Sequence, residues 1–351
     1  MNASDHTSTI TDYFRTNYTK CPKSTFFDSP TFHTWSCHII SLFTLPMNVY
    51  ATYLIIVKTP RKLQQMKYCL LHLHSWCFFT DLLSGVFVVP YTLVPLCAGH
   101  GAGLLSDLNV PQPFQIYTFV VAVAGVGFAI AFMFENRQNS MISESWFRIQ
   151  NKSSRFLFYT LNYAFMISFP IPAFLDVPDQ ETAKMELLQL IPCPTIHFFS
   201  DKVFVLIVQQ TMSFKLVSAA LFLAFVQILF FAIHSFWCLS NTMKNSRVSE
   251  KTRKLQRKFL LAVSIQVIIP LAVCVLPVVY FTFSMFKQFH SQALNNICFM
   301  IMSLHGFLDS IVMIYVITPY REYTKTVLFR TYQKRQSIIS VVGAESTRYT
   351  F

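Results

Sequence analysis

Seven apolar stretches, each long enough to cross a bilayer, divide this chain of 351 residues. A membrane-spanning helix needs about 20 mostly apolar residues, and lipid offers the backbone no hydrogen-bond partners, so each stretch must form a helix. We therefore predict an all-α membrane protein, a bundle of seven transmembrane helices. The predicted spans are 35–57, 69–96, 114–134, 156–175, 203–238, 259–286 and 294–317.

The composition agrees with a chain that lies mostly in lipid. Hydrophobic residues make up 53% of it and charged residues only 13%, whereas a soluble domain carries about 25% charged residues. The spans and their loops use the whole length, so we predict three parts: an N-terminal segment 1–34, a membrane domain 35–317 and a tail 318–351. A net charge of +12 would suggest nucleic acid binding in a soluble protein.

The basic residues instead alternate from loop to loop. The loops 58–68, 135–155 and 239–258 and the tail together hold 21 Lys and Arg, and the segments on the other side hold 6. Basic loops stay cytoplasmic, where they also face an anionic leaflet. We therefore place the N-terminus outside and the C-terminus inside, in the plasma membrane, and we expect no nucleic acid partner.

The N-terminal segment carries two glycosylation sequons, at Asn2 and Asn17. Both lie on the side that the charge assigns to the lumen, so we expect modification there. A third sequon, at Asn151, falls in a cytoplasmic loop and should stay bare. Residues 1–34 lack the pattern of a cleavable signal peptide, so the first span is expected to act as its own insertion signal.

Three of the nine cysteines lie on or near the outer, oxidising side. They are Cys21, Cys97 and Cys193, which allow one bridge and leave one thiol over. The pairing of Cys21 with Cys193 would tie the N-terminal segment to the second outer loop, and we favour it. Sequence alone does not fix the connectivity.

Ionisable residues inside spans are costly in lipid and often functional. Asp81 lies in the second span, and Asp309 lies in the seventh, one helical turn from His305. If these spans are adjacent, the two acids would share a proton or hold a cation. The alternative is a hydrated packing network without a regulatory role. His72 and His74 have no third ligand at a useful spacing, so we expect no metal and no cofactor.

The inner ends of two spans carry charges suited to switching. Glu135 stands two residues before Arg137 at the end of the third span, which suggests a local ion pair that restrains the arginine; the alternative is simple anchoring at the interface. The sixth span begins with the basic residues Lys251, Arg253, Lys254 and Arg257 and contains Pro270 and Pro277, which kink helices. A kinked helix with a basic extension is a candidate for the element that moves when the protein switches. The alternative is that the packed bundle tolerates the prolines and the helix does not move.

After the seventh span, Tyr320, Tyr323, Val327 and Leu328 recur at helical spacing, with Arg321 and Lys325 on the other side. This pattern predicts a short amphipathic helix on the inner membrane surface.

In these motifs the chain resembles the nematode serpentine receptors of class H, a family of chemosensory G protein-coupled receptors. The resemblance rests on the order of many short motifs over residues 71–321. The matching positions are Leu71 to His74, Trp76, Asp81, Leu82, Pro90, Tyr91, Pro95, Ala98, Gly99, Gly103 to Leu105, Val110, Pro111, Gln115, Tyr117, Phe134 to Arg137, Ile191 to Pro194, Lys251, Thr252, Leu255, Gln256, Ile265, Gln266, Ile269, Pro270, Asn295, Asn296, Ser303 to Gly306 and Pro319 to Arg321.

The resemblance implies a receptor that senses a small molecule, as in olfaction, and activates a heterotrimeric G protein. We expect the ligand between the outer halves of the third, fifth, sixth and seventh spans, near Tyr117, Phe283 and Met285. The basic residues that begin the sixth span are expected to meet the G protein. The family also implies a place in the cilia of sensory neurons.

Two other classes stay open. A seven-helix ligand-gated channel would need the opposite orientation, which the charge count opposes. A membrane transporter would need an internal repeat, and an enzyme would need a set of catalytic residues. We find neither in the sequence. We therefore expect no enzymatic activity.

Overall fold

The computed structural model describes residues 10–61, 64–139, 149, 151–208, 212–244 and 249–329. Most of them are helical. The helices are α1 (Ile10–Thr16), α2 (Pro30–Lys58), α3 (Gln64–Leu82), α4 (Leu104–Asp107), α5 (Gln112–Asn139), α6 (Lys152–Ser168), α7 (Ile171–Leu175), α8 (Gln180–Leu190), α9 (Met212–Lys244), α10 (Glu250–Lys287), α11 (Gln292–Ser303), α12 (His305–Val316) and α13 (318–329).

Each predicted span has a counterpart in this order. The spans correspond to α2, α3, α5, the pair α6 and α7, α9, α10, and the pair α11 and α12. By length and composition, five of the described segments are suited to cross a membrane: Pro30–Lys58, Gln112–Asn139, Lys152–Leu175, Met212–Asn241 and Gln292–Val316. Helix α10 contributes a shorter apolar portion, Val275–Lys287. Helix α3 is continuous, but polar residues such as His72, His74 and Asp81 interrupt its run of apolar side chains.

The helices close into a ring. Helix α2 packs against α3 and α12, α3 packs against α5, and α5 packs against both α6 and α9. Helix α10 contacts α9 on one side and α12 on the other, which completes the circuit. Large apolar side chains such as Leu42, Phe43, Phe222, Leu223 and Leu276 point outward and are more than half exposed. An apolar outer surface of this kind is suited to lipid rather than to water.

Two predicted span boundaries were wrong. The second span was expected to continue to residue 96, but a π-helical turn, Leu83–Phe87, ends it, and strand β1 (Pro90–Thr92) follows. The fifth span was expected from residue 203, but Phe204–Val205 forms strand β3 and α9 begins at Met212. Pro90 and Pro95 break the second helix, and short apolar runs suit strands as well as helices.

These strands form a small antiparallel sheet that the all-α prediction did not include. Strand β2 (Ala98–Gly101) lies in the middle, between β1 and β3. Tyr91 is opposite His100, and Gly99 is opposite Phe204. The first and second outer loops are therefore joined by backbone hydrogen bonds.

The sheet, α1, α8 and the 3-10 helix Ile196–Phe199 form a folded layer on the outer side, which we call the outer cap. Its apolar core contains Tyr91, Leu93, Leu96, Ala98, Ala183, Leu187, Leu188, Ile191, Phe198, Val203, Val205 and Val208. Cys21 and Cys193 are joined in a disulfide, with their Cα atoms 5.5 Å apart, as the sequence favoured. Tyr13 also donates a hydrogen bond to the Pro192 carbonyl, at 2.8 Å. The N-terminal segment is thus fastened to the cap.

At the inner end, α13 occupies the position predicted for the amphipathic helix. Tyr320 is buried against Leu54, Ile55 and Met313, and its hydroxyl lies 2.6 Å from that of Thr59. The Lys58 ammonium lies 4.1 Å from the centre of the Tyr323 ring. Helix α13 is therefore packed against the first span as well as being amphipathic.

Candidate functional site

An apolar cavity of about 400 Å³ lies beneath the outer cap. We call it the outer cavity. The two strands β1 and β2 form its roof, and α5, α10 and α11 contribute its walls. Its lining consists of Val88, Pro90, Thr92, Val94, Cys97, Ala98, Gly99, His100, Gly101, Ile116, Phe119, Val120, Phe204, Leu206, Phe281, Met285 and Phe299.

Polar side chains near the outer end of the seventh span hold the roof in place. Gln292 donates a hydrogen bond to the Thr92 carbonyl at 3.0 Å, and Asn295 donates one to the Val94 carbonyl at 3.1 Å. The His290 ring lies 2.8 Å from the same Val94 carbonyl. Burial lowers the pKa of His290 below its usual value, so its ring is neutral at neutral pH. Strand β1 is therefore tied directly to the seventh span.

The three residues predicted to bind a ligand fall in different places. Met285 lines the outer cavity. Tyr117 instead donates a hydrogen bond to the Ile167 carbonyl at 2.8 Å, and its ring packs on Phe174 at 5.5 Å between centroids. Phe283 is 51% exposed on the outside of the bundle. Tyr117 and Phe283 therefore do not line the outer cavity, and a role for them in ligand binding stays a prediction.

Helical geometry explains why Tyr117 and Phe283 lie away from the outer cavity. Residues three or four apart share one face of a helix, and a residue two positions away points to nearly the opposite face. Phe281 and Met285 share the cavity face of α10, so Phe283 turns away from it. The cavity face of α5 is formed by Ile116, Phe119 and Val120, and Tyr117 points away from it. The sequence contained this spacing, but not which of the apolar faces looks inward.

The predicted polar core joins the second and seventh spans, and it includes an unforeseen residue of the first. Asn48 donates a hydrogen bond to Asp81 at 2.7 Å and accepts one from Ser310 at 2.7 Å. His305 Nδ1 lies 3.6 Å from Asp81 Oδ1. Asp309 is buried, and it is near enough to Asp81 to interact electrostatically. The structure therefore brings Asp81, His305 and Asp309 together, with Asn48 as the connector.

Gly306 allows this close approach between α12 and the second span. A Cβ atom built at Gly306 would lie 1.8 Å from Asp81 Oδ2, far inside van der Waals contact. Any larger residue would have to displace the carboxylate or separate the helices. The small residue in the Ser303 to Gly306 motif thus has a packing role beside the polar core.

At the inner end of the third span, Glu135 is fully buried in what we call the inner ionic cluster. Arg155, from the beginning of α6, contacts both carboxylate oxygens, at 3.0 Å and 2.8 Å. Tyr159 donates a further hydrogen bond at 2.5 Å, and Asn139 also contacts the carboxylate. A bidentate arginine pair of this kind is strong and geometrically specific.

The prediction therefore named the wrong arginine as the partner of Glu135. Side chains two positions apart on a helix do not face each other, so Arg137 lies on another side of α5, where it is half-buried. The partner comes from the next span, across a segment of which only residue 149 is described. Sequence spacing gave no signal for that pairing.

The basic residues that begin the sixth span lie on the first turns of α10. Lys251, Lys254 and Arg257 are exposed, and Arg253 is partly buried. Lys254 forms an exposed ion pair with Glu250 at 2.5 Å. These cations project from the inner end of the same continuous helix that carries Phe281 and Met285.

The remaining predictions concern the glycosylation sequons and metal binding. Asn17 is exposed before the 3-10 helix Tyr18–Lys20, as a modified residue requires. Asn2 lies outside the described residues. Asn151 caps α6, where its side chain accepts a hydrogen bond from the Ser153 amide. Within the described part of the chain, no group of three His, Cys, Asp or Glu is arranged to hold a metal ion.

Comparison with known proteins identifies relatives over nearly the whole chain. The family described as "Serpentine type 7TM GPCR chemoreceptor Srh" matches residues 28–330. Serpentine receptor class H-72 of Caenorhabditis elegans is 28% identical over 340 residues, which cover 96% of this chain and 97% of that protein. Among solved structures, squid rhodopsin aligns over 90% of this chain and 89% of its own, at 10% identity and a TM-score of 0.49.

Proposed function

Since this chain belongs to the Srh family of serpentine seven-transmembrane GPCR chemoreceptors, we propose that it binds a small molecule in the outer cavity and activates a heterotrimeric G protein at its inner face. The observation that carries the proposal is the cavity itself, about 400 Å³ of mostly apolar space beneath the cap. Ligand pockets of proteins are concave, mostly apolar and about 300–1,000 Å³. We further propose that the receptor works in the plasma membrane of sensory neuron cilia.

Helix α10 supplies a physical connection between the two faces. It runs for 38 residues without a break, from Glu250 to Lys287. Its outer end carries the cavity residues Phe281 and Met285, and its inner end carries the exposed cations Lys251 and Arg257. A ligand that binds one arrangement of this helix better than another shifts a two-state equilibrium, and the inner end reports the shift.

Arg137 is the proposed switch residue at the inner face. In full-length receptor co-expressed with a G protein, we expect Arg137→Ala to reduce the second-messenger response while surface expression stays near normal. Arg257→Ala should also weaken the response, because it removes a proposed contact with the G protein. Normal signalling from Arg137→Ala at normal expression would return Arg137 to a role in anchoring α5 at the membrane edge.

Orientation is tested separately, through glycosylation. We expect Asn2 or Asn17 to be modified and Asn151 to stay bare, because basic charge places them on opposite sides of the membrane. Modification at Asn151 with none at the N-terminus would falsify the orientation. That result would favour a ligand-gated channel, and ligand-evoked currents without any G protein would then replace the receptor proposal.

A further inference from the structure

The wall of the outer cavity carries no charge at neutral pH among the described residues that form it. Its two titratable members are His100 and Cys97. Burial lowers the pKa of His100 to about 4, so its ring is neutral, and burial raises the pKa of the Cys97 thiol to about 11, so it stays protonated. A charged ligand would therefore leave water without gaining an opposite charge in the cavity.

Aromatic and aliphatic side chains make up most of the remaining wall. Phe281 and Phe299 pack against each other with ring centroids 5.3 Å apart, and Phe119, Phe204 and Met285 extend the same surface. Burying an apolar group against this surface is favourable by about 25 cal/mol per Å². Burying an ionised group without a partner costs several kcal/mol or more.

Two side chains in the roof each carry a polar atom without a hydrogen-bond partner in the described structure. They are Thr92, through Oγ1, and His100, through Nδ1. Both atoms are shielded from water, and a buried polar group left unpaired costs about 1–3 kcal/mol. His100 is also surrounded by His33, His197 and Lys202. Thr92 carries no titratable group, and its hydroxyl both donates and accepts.

We infer that the outer cavity selects an uncharged, mainly apolar molecule with one hydrogen-bonding oxygen. The Thr92 hydroxyl, which is covered in the structure, turns toward the cavity by a rotamer change to pair with that oxygen. The inference rests on the proposed function only in placing the ligand site in this cavity. Apolar contact supplies the affinity. The single polar pair supplies the preference for an oxygenated molecule over a hydrocarbon of the same shape.

Cys97 offers a measure of occupancy, because it is one of the residues that line the cavity. Because burial keeps the Cys97 thiol mostly protonated and the thiolate is the reacting form, full-length receptor in lipid nanodiscs is labelled slowly, at about pH 9, with the uncharged reagent iodoacetamide. Mass spectrometry follows the rate at which the Cys97 peptide is alkylated, and Cys97→Ser provides the blank. The competing probes share one carbon skeleton: decane, decanol, decanoate and decylamine. We expect decanol to protect Cys97 at a concentration about tenfold lower than decane, and the two ions to be weaker than decanol by at least about a hundredfold.

The Thr92→Val variant keeps the shape of the side chain and removes the hydroxyl. In this variant, the concentration of decanol that protects Cys97 should rise about tenfold, to that of decane, and the concentration of decane that protects should stay unchanged. Thr118→Val is the matched control, because the Thr118 hydroxyl donates a hydrogen bond to the Phe114 carbonyl on an exposed face of α5. The Thr118→Val receptor should keep the full preference for decanol over decane. An equal loss in both variants, or none in Thr92→Val, would overturn the role of Thr92.

The ligand class and the receptor function fail in different ways. Protection by decanoate or decylamine at the concentration of decanol, or by none of the four probes, would overturn the ligand class. Protection by decanol without any second-messenger response to any ligand of a broad panel would leave the class intact and count against the proposed G protein coupling. A second-messenger response to decanoate with no protection of Cys97 would support a receptor whose site lies elsewhere.

Discussion

The outer cap and the membrane bundle are built in opposite ways. In the cap, apolar side chains such as Tyr91, Leu93 and Phe198 are completely buried. In the bundle, the fully buried side chains include the polar Asn48 and Glu135, while Phe43 and Leu223 are more than 60% exposed. The difference follows from the solvent, since the cap folds in water and the bundle packs in lipid.

Each region is therefore expected to depend on a different kind of interaction. Water drives the apolar core of the cap together, and the Cys21–Cys193 disulfide closes it. Lipid tails are as apolar as leucine, so helices in the bundle associate through close packing and polar contacts. Single polar substitutions should thus do more damage in the bundle, and loss of covalent or apolar contacts should do more damage in the cap.

The largest effect should come from breaking the inner ionic cluster. Arg155→Ala leaves the Glu135 carboxylate buried without its cation, which should lower the free energy of unfolding by about 3–5 kcal/mol. Thermal unfolding of the purified receptor in one detergent measures it. Lys254→Ala is the control, because its ion pair with Glu250 is exposed and should contribute less than about 0.5 kcal/mol. Similar losses in both variants would contradict the contrast between buried and exposed pairs.

The next largest effect should come from opening the cap. Cys21→Ser and Cys193→Ser should each cost about 2–4 kcal/mol and lower surface expression to a similar degree. The double variant should cost little more, because both single changes remove the same constraint. Mass spectrometry of the unreduced protein checks the bond itself. Cys193 found as a free thiol, or joined to Cys97, would contradict this account of the cap.

Sequence predicted the spans well at their centres and poorly where they meet the cap. Residues 88–96 and 203–208 read as continuations of spans because they are as apolar as the helices beside them. Tyr91, Leu93, Val203 and Val205 are instead buried in the cap core. Hydropathy reports burial away from water, and it does not distinguish burial in lipid from burial in protein. The small sheet was missed for that reason.

The site was predictable where the signal was local. Asp81, Asp309 and His305 stood out because ionisable residues are rare in spans, and the structure brings them together. The partner of Glu135 was not predictable, because Arg155 comes from another helix and sequence spacing does not specify helix contacts. Phe281 and Phe119 were missed because α10 and α5 are apolar on several faces, which leaves the rotation of each helix undetermined.

A glycine pair in the bundle should give an effect of intermediate size. Gly306→Ala places a methyl group against Asp81, where a built Cβ comes within 1.8 Å, and should cost about 1–3 kcal/mol through overpacking. Gly127→Ala meets only the tip of Ile228, at 3.6 Å, and should be neutral or stabilising by up to about 1 kcal/mol through helix propensity. Thermal unfolding compares the two. Equal tolerance of alanine at both positions would show that α12 does not press on the polar core.

The smallest effect should be a pH dependence confined to the cap. Burial lowers the pKa of His100 from 6.5 to about 4, and it also lowers that of His197. The folded cap therefore holds these rings neutral, while the unfolded chain takes up protons below about pH 6.5.

The unfolded state binds more protons in this range. The neutral histidines therefore make their full contribution to the free energy of unfolding above about pH 6.5, and this contribution falls as the pH drops toward 4. Lys202 and His33 beside His100 oppose its protonation, and Asp28 partly offsets the effect at His197. Between about pH 7 and about pH 6 the loss should stay below about 1 kcal/mol for each histidine. Hydrogen exchange corrected for intrinsic rates should show faster opening of β2 and α8 at mildly acidic pH, and His100→Gln should flatten that response. Acid-induced opening that begins in α5 or α9 instead would place the pH-sensitive contacts in the bundle and reverse the comparison.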